Sequence, residues 1–189
     1  MYDTLQSLDE SLLIKSLAYK HFNLTLRKTI PSKLDVLYLF RNDSRRGIAN
    51  TDQLIQAIQA NTHVQLTVLQ NSRMSFQEQV LAFVRRDVFV SIHGAAFTNI
   101  LFMEPLSAVI ELNPPKFRGD FYYNMARQSA LFFYGIYNTY TANMKYSLSL
   151  VQTDQMLNQV FSVPVSLFTK AFTSAVQNVR RYKYRLVQL

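Results

Sequence analysis

The sequence has no cysteine, no internal repeat, no low-complexity stretch and no apolar run long enough to cross a membrane. The absence of thiols excludes disulfides, thiolate nucleophiles and zinc–thiolate centres. A membrane helix needs roughly 18 consecutive apolar residues, and no segment approaches that. The amino terminus, MYDTLQSLDESLL, is acidic and lacks the apolar core of a signal peptide, so the chain as written reads as neither secreted nor anchored. Histidines occur only at 21, 63 and 93, too scattered for a metal cluster. There is no Asp-x-Asp triplet, and of twelve acidic residues only Asp9 and Glu10 are adjacent. Metal-dependent hydrolysis or phosphoryl transfer therefore has no evident ligand set, no metal site is assigned and no resident cofactor is expected.

What is present is a chain of 189 residues, enough for one sizeable core. Hydrophobic residues make up 49% and charged ones 17%, a globular rather than a disordered balance. The net charge of +8 favours anionic partners. Basic residues are spread along the chain, which points to a nucleotide more than to nucleic acid. Their densest groups are Arg41, Arg45 and Arg46, then Arg180, Arg181, Lys183 and Arg185.

Leu5, Leu8, Leu12, Leu13 and Leu17 recur at helical spacing, giving a helix packed on the main body before a break at Pro31-Ser32. Residues 1–33 read as an N-terminal helical extension or the tail of an upstream domain, and 34–189 as the main domain. Asp35 to Phe40 is a buried strand, Arg41 to Gly47 the loop after it, and Asn50 opens a helix with Leu54, Ile55 and Ile58 on one face. Val64 to Leu69 alternates as a second strand. Ser75 followed by Glu78 is a capping box, and Phe76, Val80, Phe83 and Val84 mark the buried face of the helix it starts. Asp87 to Ile92 is a third strand and Ala108 to Leu112 a fourth, closed by Pro114-Pro115. Tyr122 to Ala130 reads as helix and Leu131 to Tyr140 as a fifth strand. Thr141 to Leu157 is a polar excursion, and Phe168, Phe172, Val176, Val179 and Tyr182 form a C-terminal helical stripe. Strands alternating with helices predict an α/β fold: a Rossmann-like parallel sheet with helices on both faces.

The stretch VFVSIHGAAFTNILF, from Val88 to Phe102, runs strand, small-residue turn, helix. Gly94, Ala95 and Ala96 permit close approach of a ligand to the backbone, and the following helix start and His93 supply donors. That suits a pyrophosphate or a sugar hydroxyl; a plain strand-to-helix turn capped by a histidine is the alternative. Arg41, Arg45 and Arg46 leave the first strand at the same edge of the sheet and suit phosphate. Glu111 ends the fourth strand there, positioned to hold ribose hydroxyls, to act as a base or to pair with an arginine. Asn50 and Ser75 read as helix N-caps that also face the ligand edge. The RRYKYR run is basic with interleaved tyrosines, either a nucleic-acid contact or a solvated helix face. Two sequons, Asn23-Leu24-Thr25 and Asn42-Asp43-Ser44, matter only in a secretory compartment.

Five blocks in order resemble glycosyltransferase family 61: Arg41…Arg46-x-Ile48-x-Asn50; Ser75-Phe76-x-Glu78-Gln79; His93-Gly94-Ala95-x-x-Thr98-Asn99-x-x-Phe102; Val109-Ile110-Glu111-Leu112-x-Pro114; and Tyr122-Tyr123. The resemblance spans residues 35–140. It implies the C-terminal half of a GT-B fold and inverting transfer of GlcNAc or a pentose from a UDP-sugar to a protein or polysaccharide hydroxyl. It implies a donor pocket of Arg41, Arg46, Asn50, Ser75, His93, Gly94, Thr98 and Glu111, with His93 and Gly94 against the pyrophosphate and Glu111 near the nucleoside. It also implies work in the ER or Golgi lumen. Ala96 stands where the family usually has a second glycine, and Thr51 where it usually has Glu. A GT-B enzyme needs a second domain, supplied by a further segment or another chain, and the catalytic base is left unassigned. A UDP-sugar-binding chain without turnover is the alternative, and a basic nucleic-acid-binding module the third.

Overall fold

The computed structural model describes residues 7–27, 29, 31–41, 45–70, 74–117, 119–137 and 157–184. Strands β1 (Leu34–Phe40), β3 (Val64–Gln70), β4 (Val88–Ile92), β5 (Ala108–Asn113) and β6 (Phe132–Tyr137) form one sheet in the order β3-β1-β4-β5-β6, every pair parallel. β4 and β5 are buried along their whole length, as the mostly apolar runs VFVSI and AVIELN suit in strands covered on both faces. β3 keeps the apolar–polar alternation of a half-exposed edge strand. Residues 138–140 of the expected fifth strand, the second sequon, Arg185 and all of the expected excursion except Leu157 lie outside the described residues.

Helices cover both faces, as the sequence pattern predicts. On one face α2 (Thr51–Gln59) and α5 (Val165–Asn178) pack Leu54, Ile58, Phe168 and Phe172 against Tyr38, Val90 and Ile110. On the other lie α1 (Leu8–His21), α3 (Phe76–Phe83), a 3-10 helix (Ala95–Phe102) and α4 (Phe121–Gln128), around Leu37, Phe89 and Val109. The segment after the HGA turn takes the 3-10 form because its buried residues recur every third position. Phe97, Ile100 and Met103 are each fully buried, and 3-10 geometry stacks i and i+3 on one side. Among the described residues no helix is long and apolar enough to cross a membrane.

Two sequence expectations about helix faces are corrected. The leucines of α1 point outward: Leu13 and Leu17 are each 58% exposed, whereas Ser11, Lys15, Ala18 and Tyr19 face inward. The inward face is specified by hydrogen bonds instead, with Ser11 Oγ bonded to Ser129 Oγ at 2.8 Å and the Tyr19 hydroxyl donating to the Phe102 carbonyl at 2.9 Å. The sequence places Phe76 in the buried stripe of α3, but it sits in the first turn, exposed, with its ring tilted against Phe22 and edgewise to Phe102.

Two features have no local sequence signal. β2 (Gly47–Ile48) and β7 (Val160–Phe161) form a short parallel pair that ties the loop after β1 to the segment before α5. At the amino ends of the strands, Asp87 receives Lys183 Nζ at 2.8 Å and Arg27 Nη1 at 3.0 Å. Lys183 also reaches Glu104 at 3.0 Å, and Arg27 pairs with Asp35. This buried ionic network closes that end of the sheet, so the carboxyl end is the open one.

Candidate functional site

The strand order reverses between β1 and β4, since the chain goes from β1 to β3 on one side and returns to β4 on the other. The loops leaving the carboxyl ends of those two strands diverge, and a crevice opens between them. A cavity of about 430 Å³ occupies it. Leu37, Leu39, Leu69 and Phe83 supply an apolar wall, while Arg41, Gln79, Thr98 and Asn99 supply polar groups. Gln79 Nε2 donates to the Met74 carbonyl at 3.0 Å, and Asn99 Nδ2 donates to Gln79 Oε1 at 3.1 Å. The two amides are thereby oriented from a backbone carbonyl outward.

Gly94 forms the lip of the crevice. Its φ of 167° is extended backbone, so nothing in the chain's conformation demands glycine. A Cβ built on it would lie 3.7 Å from Arg41 Nη1 and 3.8 Å from Arg46 Nη1. Two guanidinium groups from the loop after β1 therefore converge on the turn after β4. Arginine forks at a backbone turn that opens a helix make an anion site. Arg46 is steered there in part by Asn158, which accepts from its Nη2 at 3.1 Å.

His93 directly precedes Gly94 and is not among the residues that line the cavity. Its Nδ1 meets Glu111 Oε1 at 2.6 Å, and Asn113 Nδ2 donates to Glu111 Oε2 at 3.1 Å. The imidazole packs against Phe117 and Tyr122, with ring centroids 4.4 and 5.0 Å away. Burial pushes the Tyr122 phenol up to about 12, the Glu111 carboxylate adding to the effect and Arg46 opposing it.

The structure brings Arg41, Arg46, His93, Gly94 and Thr98 to one turn. Glu111 is fully buried and spends its carboxylate on His93 and Asn113, neither on an arginine nor on the open crevice. The reason is the burial of the whole of β5, which turns its odd-numbered side chains into the helical layer. Asn50 is the N-cap residue of α2, as expected, but its side chain makes no capping hydrogen bond. Its amide clamps the Val163 backbone from both sides, Nδ2 to the carbonyl at 2.8 Å and Oδ1 from the amide at 2.9 Å. Ser75 does close the capping box with Glu78: its Oγ accepts from the Glu78 amide at 3.3 Å, and Glu78 Oε2 accepts from the Ser75 amide at 2.7 Å. Those bonds occupy Ser75 on an exposed helix start, outside the cavity lining. Gln79 and Asn99, not singled out for the site from the sequence, line the cavity. Both lie within the ordered blocks, Gln79 one turn into α3, where a polar residue beside buried Val80 was a usable signal.

The sequence profile of the family described as Glycosyltransferase 61 matches residues 9–110, just over half of the chain. The chain belongs to glycosyltransferase family 61. It is similar to EGF domain-specific O-linked N-acetylglucosamine transferases. The *Xenopus laevis* protein is 33% identical over 92 residues, which are 48% of this chain and 18% of that protein. The *Drosophila melanogaster* protein is 28% identical over 80 residues, 42% and 15% of the two lengths. The *Canis lupus familiaris* protein is 27% identical over 122 residues, 58% and 23%. The chain thus spans less than a quarter of the length of these family 61 relatives. The matched region holds β1, α3, β4 and the HGA turn, hence both sides of the crevice.

Proposed function

We propose that this chain is the donor-binding half of a GT-B glycosyltransferase, which holds a UDP-sugar, carrying GlcNAc or a pentose, for inverting transfer to a protein or polysaccharide hydroxyl. The observation that carries the reading is the convergence of Arg41 and Arg46 on Gly94 at the strand-order reversal. A diphosphate there lies against two guanidinium forks and the first amides of the 3-10 helix, with the amide-lined cavity alongside for the rest of the ligand. Family membership adds the reaction class, and the names of the relatives favour N-acetylglucosamine and a protein acceptor. A second domain or chain completes the cleft and contributes the group that deprotonates the acceptor. Such work belongs in the lumen of the secretory pathway. Titration with UDP, UDP-GlcNAc and UDP-xylose, followed by saturation-transfer NMR and thermal shift, tests the reading. Binding by the wild type that drops at least about tenfold in Arg41→Ala supports it. No response to any UDP compound, or an Arg41→Ala variant that binds as before, refutes it.

A further inference from the structure

We propose that Glu111 is a positioning residue: with Asn113 behind it, it fixes the His93 ring so that Nε2 is the nitrogen offered to the anionic group of a ligand at the Gly94 turn. The proposal rests on the donor-binding reading and adds a role that reading does not contain. Glu111 is fully buried, so it cannot itself touch a ligand at the crevice. Both of its oxygens are engaged, Oε1 with His93 Nδ1 at 2.6 Å and Oε2 with Asn113 Nδ2 at 3.1 Å. A carboxylate only accepts, so the hydrogen of that short bond resides on Nδ1. Nε2 makes no hydrogen bond to any of the described residues. Phe117 and Tyr122 pack on the ring and oppose its rotation. The chain Asn113–Glu111–His93 is thus an orienting relay of the kind that fixes a working histidine elsewhere in proteins, where the second partner sets which nitrogen faces the ligand.

When Nε2 meets a phosphate oxygen it donates, and the ring then carries both protons. Glu111, from β5, offsets that charge. Arg41 and Arg46, which reach the same turn, oppose it until the phosphates of the ligand neutralise them. Among the described residues, Tyr122, from α4, also packs against the ring.

The test uses the chain labelled with ¹⁵N-histidine. Two-bond proton–nitrogen correlations at alkaline pH report which imidazole nitrogen holds the hydrogen, and calorimetry with UDP reports binding. Wild type should show the Nδ1–H pattern. Glu111→Ala should move His93 to an Nε2–H or mixed pattern and weaken UDP binding about tenfold. His93→Ala should lose a similar factor, and the double variant no more than either single one. Glu111→Gln is the rescue: its carbonyl accepts from Nδ1, and its amide can donate to Asn113 Oδ1, a buried atom without a partner among the described residues. It should keep the Nδ1–H pattern but, lacking the charge that offsets a doubly protonated ring, recover only part of the UDP binding lost in Glu111→Ala. An Nδ1–H pattern that survives in Glu111→Ala overturns the proposal, as do losses that multiply in the double variant. A wild type indifferent to UDP would instead overturn the donor reading, so the two failures register in different measurements.

Discussion

A methyl group added at Gly94 meets Arg41 and Arg46 at ordinary contact distance and asks nothing unusual of the backbone. Gly94→Ala should therefore leave the melting temperature within about 1 °C of wild type, because surface substitutions without strain cost little. It should still weaken UDP binding by about tenfold or more, since the methyl stands where the phosphates approach the turn. Differential scanning fluorimetry and calorimetry on one sample check both halves. Lys15 is the opposite case. It is buried, its Nζ has no hydrogen-bond partner among the described residues, and burial lowers its value to about 8. Glu104 acts against that lowering and Lys183 reinforces it. Below pH 8 both folded and unfolded chains hold the proton, so the folded state bears the full desolvation cost. Between about pH 8 and 10.5 the folded chain sheds the proton first and the cost fades. Lys15→Met should stabilise the chain by roughly 1–3 kcal/mol at pH 7, and the gain should shrink toward zero by pH 10. Urea titrations at the two pH values show whether it does. At this scale the sequence was legible for residue type at the ligand edge, where His93, Gly94 and the two arginines stand together. It was not legible for partner choice. That Glu111 serves His93, and that Asn50 serves Val163, depends on which face of a buried strand each side chain takes and on a backbone 113 residues away.

Helices and strands were read well where burial and local bonding agree. The capping box of α3 is the clearest instance, since Ser75 and Glu78 satisfy each other within one turn. The sequence reads α4 as running to Ala130, but it ends at Gln128, for a less obvious reason. The Leu131 amide bonds the Ala126 carbonyl and the Ala130 amide bonds Arg127, which closes a Schellman turn with Ala130 at φ 54°. Glycine normally fills that left-handed position, and a Cβ there is strained. Ala130→Gly should relieve the strain and raise stability by about 0.5–1 kcal/mol, less than the strain itself because glycine also loosens the unfolded chain. Thermal unfolding of the variant beside wild type measures it. The elements misread from sequence are those whose apolar pattern does not face the core. α1 presents its leucines outward, and hydrophobic spacing reports a face without reporting which way that face turns. The 3-10 segment shares its apolar residues with an α-helical reading, and only packing at every third residue separates the two.

The molecule as a whole is polarised along its strands. The carboxyl end carries the crevice, and the amino end is sealed by Asp87, Glu104, Lys183, Arg27 and Asp35. Lys183 joins that seal from just beyond α5, so the last described turn is bonded to the start of the sheet. Lys183→Met leaves the buried carboxylates of Asp87 and Glu104 short of a cation. It should cost about 3–5 kcal/mol, the penalty for breaking rather than replacing a buried pair. A urea midpoint that falls with an unchanged m value is the expected result, and a midpoint within error of wild type would contradict it. The same polarity bears on the order in which the chain acquires its parts during synthesis. The arginine loop lies early in the sequence, yet among the described residues β2 pairs with β7, and Asn50 grips the Val163 backbone. A ribosome-bound chain that has exposed β1, α3, β4 and the HGA turn already owns nearly every residue of the crevice. It still lacks the strap that holds the loop in place. The arginine loop thus gains its tether only once residues 160–163 have emerged, which makes that segment, and not the residues lining the crevice, the last part the site acquires.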